Sequence, residues 1–353
     1  MKKFVILIIG LSFIAASCDL GLDSLSGSSG TRGVFKSEDN GETFNTADKL
    51  LPKNDISGVT VNSLAFDSSN PDIIYLGSSN GIFKSEDGAK TWRFILSGIG
   101  ITDIVVDPYS SNIVYASGLS GSKGKIIKSQ DKGSTWVDIF TEPSKTNSVT
   151  AITVLRSNNQ IVLAGLNSGE IIRSTDSGHT WQAAKNLSDR VVSIRSSSIG
   201  TAYAMTAKNG LNKSTDNGVS WTPITASLTR DSLSVPGQII ISVSQFANLA
   251  LDERQLGVVY LGTDQGLFRS VNDGANWSQL ALPVKNSALL VSSVAVNPSN
   301  SNNLYAAIGS TVFKSINGGV SWQTKVLPTN AVIRVIKINP QSQNIIYLGM
   351  NSK

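Results

Sequence analysis

Ile171–Trp181 reads IIRSTDSGHTW, and six variants of the same stretch recur along the 353-residue chain. Each has two or three apolar residues, a basic residue, a Ser, one variable residue, Asp or Asn, a Gly-containing turn, Thr, Ser or Asn, and then an aromatic. Alternating polarity followed by turn residues predicts a strand, a tight hairpin and the start of a returning strand. The serines are Ser37, Ser85, Ser129, Ser174, Ser214, Ser270 and Ser315, spaced by 48, 44, 45, 40, 56 and 45 residues. That loose period lies in the range of propeller blades and solenoid units.

Within this box, an Asx side chain accepts hydrogen bonds from backbone N–H groups of its own turn, and Gly adopts a backbone angle other residues resist. The position holds Asp39, Asp87, Asp131, Asp176 and Asp216, then Asn272 and Asn317. Asn keeps the acceptor oxygen and loses the charge, so these residues are expected to build turns rather than to exchange protons.

A second repeated feature lies upstream of the later boxes, as in VNSLAFDSSNPDIIYLG from Val61, ITDIVVDPYSSNIVYAS from Ile101 and VSSVAVNPSNSNNLYAA from Val291. It predicts two β-segments joined by an Asp-, Asn- and Pro-rich turn. Added to the box hairpin, it makes a four-stranded antiparallel unit, and such units arranged radially form a β-propeller. The first box has no upstream pair, while Ile333–Gly349 is a pair with no box after it. Joining these halves predicts an all-β fold of seven blades without helices. The N-terminal box hairpin then closes the ring against the C-terminal strand pair and removes the exposed sheet edges.

All six tryptophans occupy the aromatic position of a box, with Phe44 in the seventh, and six of the seven tyrosines share one position in the second strand, where Leu163 fills the remaining blade. Aromatics so placed are expected to pack the core. The formal charge of +5 falls to +3 without Lys2 and Lys3, and a basic residue precedes the Ser of every box. That pattern predicts charged tips snorkelling over blade surfaces, and no nucleic-acid partner.

The repeats S-x-D-x-G-x-T-W resemble Asp boxes, the bacterial neuraminidase repeats, over nearly all of the chain after its leader. The box followed by an NP-containing turn and IYLG looks most like sortilin-type and xyloglucanase-type propellers, with a more distant likeness to photosystem II assembly factors. The resemblance implies a sialidase-like fold whose boxes serve structure on the face opposite the site. The sequence departs from catalytic sialidases, which have six blades, an Arg-Ile-Pro segment, an arginine triad and a Tyr nucleophile. Xyloglucanases place two carboxylates between two propellers, and this sequence has one ring. A single histidine, His179, excludes a zinc cluster and a Ser-His-Asp triad, so no metal, cofactor or catalytic residue is expected.

The chain opens MKKFVILIIGLSFIAASC, two lysines, an apolar run too short to span a membrane comfortably, and small residues. Residues 1–17 read as a signal peptide, and Ala15-Ala16-Ser17-Cys18 resembles a bacterial lipobox with Ala15 where Leu is usual. Cys18, the sole cysteine, is the expected lipid anchor, and 18–32 a Gly- and Ser-rich tether to a propeller over 33–353. The expected location is extracytoplasmic and membrane-anchored, on the periplasmic face or cell surface.

With boxes and NP turns on one face, a site is expected on the opposite, top face. The widest box spacing falls at 225–245, which holds Arg230, Asp231 and Ile239–Ile241. This insertion is read as a binding loop over the top face, or as a tolerated surface insertion. Asp103 and Arg334 are charged in innermost strands that elsewhere carry mostly small or apolar residues, which makes them candidates to face the channel. The leading expectation is a protein-binding, assembly or surface-recognition module; the alternative is a glycan-binding or glycoside-hydrolase propeller.

Overall fold

The computed structural model describes residues 33–52, 54–229, 243–284 and 290–351. They form seven four-stranded antiparallel sheets with almost no helix. Blades I to VI follow the chain at 61–97, 100–145, 149–186, 191–223, 246–280 and 293–326. Blade VII joins Val332–Ile338 and Ile346–Asn351 to Val34–Ser37 and Asn45–Thr46 from the other end of the chain, in the register Val34↔Gly349 to Ser37↔Ile346. The innermost strands pack on one another in a closed cycle, so the expected ring and its closure are both present.

The core lies between blades. Tyr115 and Ile126 of blade II meet Ile152 and Ala164 of blade III, and six further clusters repeat this arrangement around the ring. The second strand of every blade is therefore buried on both faces, which explains the near-continuous apolar runs of the sequence. The glycine of the second strand permits the close approach: a Cβ at Gly165 would stand 2.3 Å from Val191 Cγ1 of the next blade.

One element differs from expectation. A single helical turn, Ala226–Thr229, begins the insertion after blade IV. Leu228 and Val243 pack with Leu211 and Phe246, and the Val243 N–H donates to the Leu228 carbonyl at 2.9 Å, so the two ends of the insertion are pinned to the core. Arg230, Asp231 and the Ile239–Ile241 run lie outside the described residues, as do Cys18 and the whole of 1–32.

Candidate functional site: the central channel and its mouth

On the box face, turn chemistry is self-contained. Ser174 Oγ donates to Asp176 Oδ1 at 2.7 Å and accepts from the Gly178 N–H at 2.8 Å. Asp176 accepts the Thr180 N–H at 2.8 Å and its hydroxyl at 2.6 Å. Hydrogen bonds from the Thr or Ser hydroxyl, then from its N–H, hold Asp39, Asp131 and Asp216 down at about 2, and Asp176 well below the usual carboxylate range. Asp87 binds Thr91 in the same way. Asn272 and Asn317 keep the backbone half, each taking an N–H at 2.8 and 2.9 Å, and Asn317 reverses the other bond by donating Nδ2 to Ser321 Oγ. His179 is exposed, with Nδ1 against the Asp176 carbonyl of the same turn.

The turns also tie blades together. The hydroxyls of Tyr75, Tyr115, Tyr305 and Tyr347 donate to box carbonyls of the neighbouring blade at 3.0 to 3.2 Å. Burial raises all six repeated tyrosines, the opposite of what a phenolate nucleophile needs. The basic residues before each Ser do more than snorkel: Lys128, Arg173 and Arg269 donate to the next blade's turn carbonyls at 2.9, 2.8 and 3.2 Å. Two clefts of about 260 and 480 Å³ open beside these turns; among the lysines that line them, Lys84, Lys36 and Lys132 are paired with Glu86, Glu38 and Asp67.

The channel wall is built differently. Each innermost strand runs from the top face to a turn on the box face, and in several blades polar side chains at two successive positions clasp the next blade. Thr102, Thr150 and Ser292 donate to the carbonyls of Val149, Val191 and Ile333, each at 2.6 Å. One residue later, Asn248 and Ser293 accept the N–H groups of Val294 and Ile336 at 3.0 and 2.9 Å. Asp103 occupies this second register, which accounts for its charge in an otherwise neutral row. It accepts from Ser63 Oγ at 2.8 Å, the Ile104 N–H at 3.0 Å, the Ile152 N–H at 3.3 Å and Arg195 Nη1 at 3.4 Å. Asp103 therefore stands within the channel wall, joining blades I, II, III and IV, rather than on the top-face loops.

Arg334 lies where the innermost strand of blade VII leaves the top face. Burial and the charge of Arg190, which precedes the corresponding strand of blade IV, both depress its pKa. Both residues keep solvent-exposed surface although neighbouring atoms partly desolvate the Arg334 guanidinium, and neither forms an ion pair with a described residue. Deeper in, Arg195 reaches Asp103, and at the box-face end Arg156 meets Glu253 at 3.0 Å, an ion pair between non-adjacent blades III and V. Between these pairs sits Lys337, which burial, and then Arg195, push down to about 8.

Sequence reasoning singled out Asp103 and Arg334 and missed Arg190, Arg195, Lys337, Arg156 and Glu253. A signal existed for two of them. Aligned on the innermost strand, Arg195 and Lys337 share a register with Ala65, Val105, Thr153, Ala250 and Ala295.

No family model matches the chain. An oligoxyloglucan-reducing end-specific xyloglucanase of Emericella nidulans is 31% identical over 119 residues, which is 31% of this chain and 14% of that enzyme. Among solved structures, YCF48 bound to D1 peptide superposes with a TM-score of 0.63 at 18% identity, over 83% of this chain and 93% of that one. The GH74 xyloglucanase of Xanthomonas campestris gives 0.64 at 16% identity, over 82% of this chain and 51% of that one. The chain thus spans about half of the Xanthomonas enzyme, and likeness at these identities is a likeness of fold.

Proposed function

We propose that this chain is a membrane-anchored, extracytoplasmic propeller that binds an acidic segment of a protein partner on its top face. The observation that carries the reading is the pair Arg190 and Arg334, two guanidiniums at one mouth of the ring without a described carboxylate partner. Arginine pairs of this kind suit a carboxylate-bearing segment, which would gain charge-assisted bonds there. The box turns, read as Asp boxes, and the lipobox at Cys18 fit a scaffold held at a membrane with one face turned to its partner. Further support comes from the single-ring likeness to YCF48, a protein whose solved complex contains a peptide.

The test is crosslinking and pulldown from the cell's own envelope with wild-type protein and an Arg190→Glu/Arg334→Glu double variant. A specific partner captured by the wild type and lost from the variant is expected. Equal capture by both, or none by either, would sink the idea.

A second reading, glycan binding or cleavage, is favoured by the 119-residue match to a xyloglucanase. Two described top-face carboxylates already have backbone partners: Asp189 accepts from Lys208 and Asn209, and Asp264 from Ser244. Glycan-array binding abolished by Asp or Glu substitutions on the top face, and untouched by Asp176→Asn, would replace the first reading with this one.

A further inference from the structure

We propose that the lumen bounded by Lys337, Arg195 and Arg156 is a binding site for one small oxyanion, a carboxylate or a phosphate. This goes beyond partner binding at the rim, since it concerns a different depth of the channel and needs no protein partner.

The first support is a count of charges and bonds. Three cations, Lys337, Arg195 and Arg156, share this part of the lumen with two acids, Asp103 and Glu253. Both acids are engaged elsewhere. Asp103 takes Ser63, two backbone N–H groups and Arg195, while Glu253 takes Arg156. Lys337 Nζ has no hydrogen bond or ion pair with any described residue. Arg195 directs Nη1 to Asp103 and to the Ile194 carbonyl, which leaves Nε and Nη2 without described acceptors. Lys337 is half-buried, and an ammonium partly withdrawn from water without a partner is destabilised relative to one that has a counter-charge. Here an incoming anion would supply the missing partner.

The repeat supplies an internal control. At the register of Arg195 and Lys337 the other five blades carry Ala65, Val105, Thr153, Ala250 and Ala295, so the ring closes without charge at this position. Packing does not explain two cations there. The two side chains leave the innermost strands of blades IV and VII at the same register, and the charge of Arg195 is felt at Lys337. The approach is favourable as well, because Arg190 and Arg334 make the top mouth positive and would draw anions inward.

The experiment titrates the full chain with sodium phosphate and, separately, sodium acetate at constant ionic strength and pH 7, following the thermal midpoint. Wild type and Lys337→Arg should be stabilised by at least one anion, and Lys337→Met should bind that anion about tenfold more weakly or worse. A response to phosphate alone identifies a phosphate site, and a response to acetate alone a carboxylate site. The wild-type response should fade between pH 7 and pH 9 as the ammonium facing Arg195, Arg156, Asp103 and Glu253 loses its proton. Independently of any variant's folding, the bound anion should protect Lys337 from reductive methylation, read peptide by peptide by mass spectrometry. No response to either anion in the wild type, an equal response in Lys337→Met, or unchanged labelling would each overturn the proposal.

Discussion

The box turns and the channel wall are made from similar polar side chains, yet they treat charge in opposite ways. In a box, the carboxylate finds its partners within four residues, so each copy is complete wherever it occurs. In the channel, the charged groups come from blades II, III, IV, V and VII, and Arg195 and Asp103 are 92 residues apart. Local closure produces seven near-identical, chemically quiet turns. Ring closure produces one site that no repeat contains, with a surplus of positive charge.

The largest effect that would test this contrast is the loss of Asp103. Asp103→Ala strips acceptors from the Ile104 and Ile152 N–H groups and from Ser63, and leaves Arg195 without its carboxylate. A loss of about 3 kcal/mol is expected in urea unfolding, with Asp103→Asn recovering a good part of it. A variant as stable as wild type would mean that the wall does not depend on this residue.

Next comes the box serine. Ser174→Ala removes a buried hydroxyl that accepts from Gly178 and orients Asp176, at an expected cost of about 2 kcal/mol. The same substitution at Ser315, beside Asn317, should cost a similar amount, because the serine makes the same two bonds there. A large difference between the two would break the claim that the boxes are equivalent.

These two regions also differed in how far they could be read from sequence. The box is a pattern of neighbours: Ser, Asp, Gly and Thr recur at fixed offsets, and their contacts are those offsets. Blade count and closure followed from the two half-units at the chain ends. Asp103 and Arg334 stood out as charges in apolar rows, but their partners did not, since Arg195 and Arg190 approach only when non-adjacent blades enclose one lumen. The turn at Ala226–Thr229 was hidden for a related reason. Leu228 and Val243 flank the insertion and look like ordinary loop residues until both are seen buried beside Phe246.

Lys337→Met should act in the opposite direction from the first two substitutions. The folded-state pKa of Lys337, about 8, lies below its ordinary value, so the unfolded chain binds more protons between about pH 8 and 10.4. Wild-type stability should therefore gain a rising contribution across that window as the strained ammonium is lost. In anion-free buffer at pH 7, Lys337→Met should be more stable by about 1 to 2 kcal/mol, a figure reduced because water reaches the lumen. A flat wild-type profile from pH 8 to 10 would show that the channel carries no such strain.

The smallest effect belongs to the box carboxylates, and it separates the two regions most cleanly. Asp39 and Asp216 titrate near 2 in the fold, below the ordinary value of about 3.9, so the stability they contribute is present above that ordinary value and is lost as pH falls toward 2. Both are exposed, and water screens much of their interaction. Asp39→Asn/Asp216→Asn should therefore stay within about 0.5 kcal/mol of wild type at pH 7. The acid limb between about pH 4 and 2 should flatten, because an Asn turn of the kind already present at Asn272 and Asn317 does not titrate. Circular dichroism melts across that range would read the difference. If the double variant lost stability as steeply as wild type in acid, the sensitivity would have to arise elsewhere, and Asp103 with Glu253 in the channel would be the next carboxylates to replace.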